Sequence, residues 1–154
     1  MKMLPAIATL LSVLGGAFFL NAAKAAPPTS VPAEVHYVGH DDVAATLAKS
    51  GFLVKESGVA VQAVQRGPGA VEYHEHTSHI YFIVDGEATF VVGGTMIDPK
   101  RTAPDQLRSP TADGGTVYHL TKGDVITVPA KIPHWFKEMP SGKLSYYLVS
   151  IETE

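Results

Sequence analysis

The strongest constraint on this chain is its rhythm after Gly51. Short runs of β-branched and aromatic residues are each closed within a few positions by Gly, Pro, Asp or Ser. The runs cover 52–55, 59–65, 71–76, 80–84, 88–92, 116–120, 125–128, 133–137 and 144–151. They are too short for helices, and strands at this spacing point to a sandwich or barrel. Asp85-Gly86 lies between two of them and predicts a hairpin, because a tight turn needs positive φ there. Residues 93–115 break the rhythm with Gly pairs, prolines and mixed charge, and predict a long loop of the kind that forms lids or binding loops. One helix is expected ahead of the strands. Asp41 or Asp42 caps it, Val43, Leu47 and several alanines form its apolar face, and Gly51 ends it. With 154 residues, 45% of them hydrophobic, the chain is sized for one core. The expected class is all-β with one short N-terminal helix.

The first 25 residues read as a secretory signal peptide. Lys2 precedes an uncharged apolar run, 4–20, and Ala23-Lys24-Ala25 offers a cleavage site. The competing reading is an uncleaved membrane anchor, but the run is short for a span and is interrupted by Pro5, Gly15 and Gly16. Cleavage after Ala25 leaves an extended Pro-rich linker, 26–35, and one domain, 36–154, exported to the periplasm or the medium and free of the membrane. Cleavage removes two lysines and no acid, so the mature chain is more acidic than the formal −3 of the whole sequence. That charge offers no attraction for nucleic acid. The absence of Cys excludes disulfides, zinc ribbons, iron–sulfur clusters and a thiol nucleophile. Neither a P-loop nor GxGxxG is present.

The histidines carry the chemical information. Three of the seven, His74, His76 and His79, fall close together, and His134 follows Pro133 in a later strand-like run. Strand residues two apart share a face, so Glu72, His74 and His76 are expected to project together, with His79 brought back over them. Imidazole nitrogen and carboxylate oxygen are good ligands for divalent transition metals. His36 and His40 read as surface or capping residues, and His119 as a hydrogen-bonded structural residue. Tyr81 shares parity with His79 and is a candidate proton donor. Glu75, beside the cluster, is a candidate acid or base. Arg108 in the long loop is a candidate carboxylate ligand set against a solvated side chain. Of Trp135 and Phe136, one is expected in the core and the other at the mouth or a subunit contact. Tyr146 and Tyr147 read as structural.

The segment Gly123-Asp-Val-Ile-Thr-Val-Pro129-Ala-Lys131-Ile-Pro-His134 resembles the second motif of the cupin superfamily, G-x5-P-x-G-x2-H-x3-N. Lys131 stands where the family has Gly, and Glu138 where it has Asn. The first motif, G-x5-H-x-H-x4-E-x6-G, is matched in spacing by Glu72, His74, His79 and Gly86, with Glu72 and His79 exchanged in type. Arg66 holds the place of the opening Gly, next to Gly67. The resemblance spans about residues 59–138.

This resemblance implies a jelly-roll, double-stranded β-barrel with one divalent transition metal (Fe, Mn, Ni, Cu or Zn) in its mouth. The ligands carried over by position are Glu72, His74, His79 and His134, with His76 in reserve should Glu72 point away. It also implies a small-molecule ligand and pairing as a homodimer. The activities it implies are oxidation with dioxygen, isomerisation, decarboxylation or lyase chemistry on a small polar organic molecule. The alternative is a non-catalytic exported protein that binds metal or a small ligand. A fold of this kind hosts many activities, so the site must decide.

Overall fold

The structure, a computed structural model, describes residues 32–153. The expected signal peptide and the first part of the linker lie outside the described residues. Among those described, no helix is long and apolar enough to cross a membrane.

Helix α1 (His40–Lys49) starts earlier than expected. Gly39 is its N-cap and offers no side-chain bond, so Asp41 and Asp42 fall inside the first turn. There their charges favour the positive end of the helix dipole instead of capping it. Val43 and Leu47 are half-buried, as their spacing requires. Ser50, at φ 56°, ends the helix one residue before Gly51. Its hydroxyl donates to the Gln65 carbonyl (3.0 Å) and accepts from the Gln65 amide (2.9 Å), which fastens the helix end to the sheet below.

Thirteen antiparallel strands follow. In chain order they are β1 (Gly51–Glu56), β2 (Val59–Arg66), β3 (Val71–His74), β4 (Thr77–Asp85), β5 (Glu87–Val92), β6 (Thr95–Ile97), β7 (Lys100–Ala103), β8 (Gln106–Ser109), β9 (Thr111–Asp113), β10 (Thr116–Thr121), β11 (Val125–Val128), β12 (His134–Glu138) and β13 (Leu144–Glu152). One sheet runs β1-β2-β13-β4-β11 and the other β10-β5-β12-β3-β8-β7, with β6-β9 as a small ribbon. The core joins the two main sheets: Tyr81, Ile83, Val128, Leu144, Tyr146 and Leu148 from the first meet Ala88, Phe90, Leu120 and Phe136 from the second. Among the described residues the fold is the expected all-β jelly roll with one short helix.

Two expectations fail for instructive reasons. Asp85-Gly86 does not close a hairpin. Strand β4 pairs with β11 and β13, whereas β5 pairs with β10 and β12, so the chain crosses there from one sheet to the other. Gly86 does take the positive φ the dipeptide promises, 89°. Local chemistry allows the turn, but inter-sheet packing chooses its direction. Nor is 93–115 a structureless loop. It holds β6 to β9, with β8 hydrogen-bonded along β3 and β7 outside it. The strands are only three or four residues long, below the length at which alternation is readable.

Lys131, which replaces the motif glycine, adopts φ 67°. The turn therefore survives the substitution in a left-handed conformation that an L-residue resists. Its amide donates to the His74 carbonyl (2.7 Å), joining the loop before His134 to the end of β3. Replacing Lys131 with Gly is expected to raise stability by roughly 0.5–1 kcal/mol, relief of the left-handed strain outweighing the added chain entropy. At Gly86 a Cβ would lie 2.8 Å from the Lys143 carbonyl oxygen, so strain and collision combine. Gly86→Ala is expected to destabilise the protein by about 2 kcal/mol or more. Urea titration of both variants checks the opposite signs.

Candidate metal centre and its cavity

Strand β3 places Glu72 and His74 on one face by simple alternation, and β4 does the same with His79 and Tyr81. His134 opens β12, with Glu72 opposite it on one side and Val92 on the other. His74 and His134 thus come from one sheet and His79 from the facing one. Their ring centroids are 4.6 Å (74–79), 5.4 Å (79–134) and 5.9 Å (74–134) apart. Each ring offers a nitrogen within 4.8 Å of the other two. His79 and His134 are buried and His74 is half-buried.

The polar contacts behind these rings suit them to hold an ion. His134 Nδ1 lies 2.9 Å from the Ile132 carbonyl, which can only accept, so Nδ1 carries the proton and Nε2 presents its lone pair. That Nε2 is buried without a partner. A bare buried lone pair is unfavourable unless something accepts it, and a cation does. His79 Nδ1 pairs with the Tyr81 hydroxyl (3.0 Å), and His74 Nδ1 faces the Asp105 carboxylate at 3.6 Å. Each ring is therefore oriented from behind at Nδ1, the arrangement that fixes tautomer and aim in metal-binding histidines. Burial, together with the neighbouring imidazoles His134 and His74, presses His79 down to about 3, and burial also lowers His134. Neutral imidazole is the form that binds metal.

Glu72 stands beside this group without being fully part of it. Its Oε2 is 3.9 Å from His74 Nε2, while Oε1 receives Arg66 Nη1 at 3.2 Å and Arg108 Nη2 at 3.1 Å. Burial pushes its carboxyl up, but His74 and the two guanidinium charges outweigh that and bring it to about 2. His76 does not join its neighbours. Strand β3 ends at His74, alternation lapses, and the His76 side chain is exposed. Glu75 also turns away from the cavity, held by both terminal nitrogens of Arg101 at 2.7 and 2.8 Å. Tyr81 is buried against His79, and burial raises its hydroxyl well above the usual tyrosine range.

Other candidates divide similarly. His119 is exposed on β10, His40 is exposed beside Asp41, and His36 reaches Glu56 at the end of β1. Phe136 lies in the core, and Trp135 is half-buried. Arg108 is not a solvated loop residue: β8 sets it directly opposite Glu72, and it lines the cavity. Tyr146, read as structural, lines the same cavity. No local pattern marks Asp105 and Gln106, because their approach to His74 depends on the β3–β8 pairing. Arg66 ends a period-two series with Gln62 and Val64 on the cavity face of β2.

Arg66, Gln106, Arg108 and Tyr146 help wall a cavity of about 450 Å³ that reaches His74, His79, Glu72 and Tyr81. The lining mixes apolar Val64, Leu148 and Phe52 with guanidinium, amide and hydroxyl groups, as small-molecule sites do.

The neutral buried histidines make metal-free stability depend on pH. A histidine that titrates near 6.5 when unfolded but near 3 when folded binds its proton more tightly in the unfolded chain. Stability is thus complete above the unfolded value and falls as pH drops from about 6.5 toward 3. Glu72 adds a loss of the same sign between the usual carboxylate range and about 2. The melting temperature of metal-free protein is expected to fall steadily from pH 7 to pH 4. A flat profile over that range would contradict buried neutral imidazoles.

No protein-family profile and no curated protein matches the chain. Solved structures do. BH2720 from Bacillus halodurans superposes with a TM-score of 0.56 at 14% identity, covering 79% of this chain and 85% of its own. The cupin domain of Cnp3 from Schizosaccharomyces pombe gives 0.50 at 17% identity, covering 67% of this chain and 63% of its own. A cupin-like protein from Thermotoga maritima gives 0.45 at 20% identity, covering 66% of each. Two facing antiparallel sheets, a histidine cluster between them and a likeness to a solved cupin domain lead to one conclusion: the chain has the cupin fold.

Proposed function

We propose that this protein is a metal-dependent cupin enzyme acting on a small polar organic molecule held in the cavity. The observation that carries this reading is the unpartnered, buried His134 Nε2, on a ring grouped with His74 and His79, two rings that themselves line the cavity. His74, His79 and His134 would hold one divalent ion. Glu72 completes the set better than His76, since it shares the His74 face and His76 is exposed. Imidazole and carboxylate together suit Fe(II), Mn(II), Ni(II), Cu(II) or Zn(II), any of which would supply Lewis acidity and orientation.

The chain's own groups have defined parts. Asp105, Tyr81 and the Ile132 carbonyl keep the three rings aimed. Tyr81 holds its proton through the neutral range and is the best-placed donor beside His79. Gln106 and Arg108 present amide and guanidinium groups to a bound molecule, and Leu148 and Val64 limit water around it. Oxidation with dioxygen, isomerisation, decarboxylation and lyase chemistry all fit this equipment.

One observation favours a second reading, a binding protein that catalyses nothing. The cavity carboxylate Glu72 is neutralised by two arginines, and Glu75 lies outside, so neither carboxylate is free to move a proton near neutral pH. In either case the apolar, uncharged run at 4–20 supports export. Pairing as a homodimer is supported by Val125 on edge strand β11 and its cross-strand neighbour Phe82, both exposed.

Elemental analysis of untagged protein tests the metal. Wild type is expected to retain about one divalent ion per chain. His74→Ala, His79→Ala and His134→Ala should each lower affinity by at least ~10–100-fold, while His76→Ala leaves it unchanged. Wild type without metal after reconstitution, or full binding by His134→Ala, would refute the assignment. Turnover of a substrate panel by wild type but not by His134→Ala separates enzyme from binding protein.

A further inference from the structure

We infer that Arg66 and Arg108 form a carboxylate-binding clamp on the cavity wall, and that Glu72 is its internal occupant, displaced when a small organic carboxylate binds. This rests on the reading of the cavity as a ligand site but needs no metal. The two guanidiniums come from different sheets, Arg66 from the end of β2 and Arg108 from β8. Both reach the same oxygen, Glu72 Oε1, at 3.2 and 3.1 Å. Two positive charges thus face one negative charge in a half-buried wall, which leaves an excess of one.

The clamp is held in place. Arg66 Nε donates to the Gly67 carbonyl (3.3 Å), and Arg108 Nε to Gln106 Oε1 (3.2 Å). Gly69 makes room for Arg66, since a Cβ there would lie 2.0 Å from its Nη2. The Arg66 and Arg108 side chains remain 31% and 42% accessible, whereas that of Glu72 is 13% accessible. All three line the cavity, and the guanidiniums are its more open members while Glu72 is the more enclosed. A guanidinium has five donors in a planar fork, so each keeps N–H groups to offer beyond those engaged. Forked donors on a concave wall match the two oxygens of a carboxylate, whereas a neutral amide can accept through only one. Elsewhere on the lining Lys55 stands against Glu56 and Glu152, so the positive excess is local to the Arg66–Arg108 pair.

Removing the negative charge of Glu72 should strengthen ligand binding, because it removes a competitor. A purely structural ion pair predicts the reverse.

Calorimetry on full-length protein, metal-free and metal-loaded, tests this with acetate, succinate, glutarate and benzoate, each against its neutral amide. At least one carboxylate is expected to bind about tenfold or more tightly than its amide, in metal-free protein as well. Arg108→Gln should weaken that binding about tenfold, and Arg108→Lys should restore it only in part. Gly69→Ala, which displaces the end of a flexible side chain without touching the core, should weaken it similarly. Glu72→Gln should strengthen it severalfold in metal-free protein. Thermal melts confirm that each variant is folded. The clamp is overturned if no carboxylate binds in preference to its amide, if folded Arg108→Gln binds like wild type, or if Glu72→Gln weakens binding. Absence of metal, by contrast, would sink only the metal assignment, because the metal-free titrations stand by themselves.

Discussion

The site depends on aromatic packing between the two sheets. Tyr81 from one sheet meets Phe90 and Phe136 from the other, with ring centroids 5.4 and 5.6 Å apart, and Phe136 meets Tyr146 at 5.3 Å. The same rings abut the imidazoles: Tyr81 lies 5.7 Å from His79, and Phe90 6.1 Å from His134. Inter-sheet spacing is set by these side chains, and that spacing lets His79 approach His74 and His134 from the opposite wall. Tyr81 serves both purposes, its ring in the core and its hydroxyl on His79 Nδ1. Phe90 is fully buried, so truncating it would open a cavity directly behind the histidines.

Around this apolar base the polar groups are sorted by what lies behind them. Each imidazole is backed by a different group: a peptide carbonyl for His134, a phenol for His79 and a carboxylate for His74. Asp105 also accepts from the His76 amide at 2.5 Å and from the Thr77 hydroxyl at 2.6 Å, so it ties the β7–β8 excursion to the connection between β3 and β4. The 93–115 segment is thereby part of the site's wall, supplying Gln106 and Arg108 to the cavity and Asp105 to a ring. Buried carboxylates are unfavourable unless paired, and Glu72 meets that condition through Arg66 and Arg108.

Much of the site was legible as spacing. Glu72, His74 and His79 stand at motif intervals from Gly86, and His134 at its interval from Pro129 and Gly123, because alternation and strand length convert sequence distance into position. His76 shows the limit of that rule. Alternation holds only while the strand lasts, and nothing local announces that β3 stops at His74. Arg66, Asp105 and Gln106 were illegible for a different reason. Their significance comes from pairing partners more than twenty residues away or across the sheets, and no local pattern encodes a partner. Lys131 makes the converse point: the turn kept its left-handed geometry without the glycine, since the backbone bond to His74 and the path to His134 hold it there.

By itself, the sequence determined the material of the fold: short β-type runs, their inward and outward faces, one amphipathic helix and the histidines fit to hold a cation. These follow from period, turn chemistry and side-chain type, all of which act over a few neighbouring residues. Only the tertiary structure decided that Asp85-Gly86 is a corner between sheets, that 93–115 folds into strands, and that two arginines converge on Glu72. Those outcomes depend on which surfaces bury one another. That is a property of the whole packed chain, because apolar burial and the pairing of buried charge are satisfied collectively and not residue by residue.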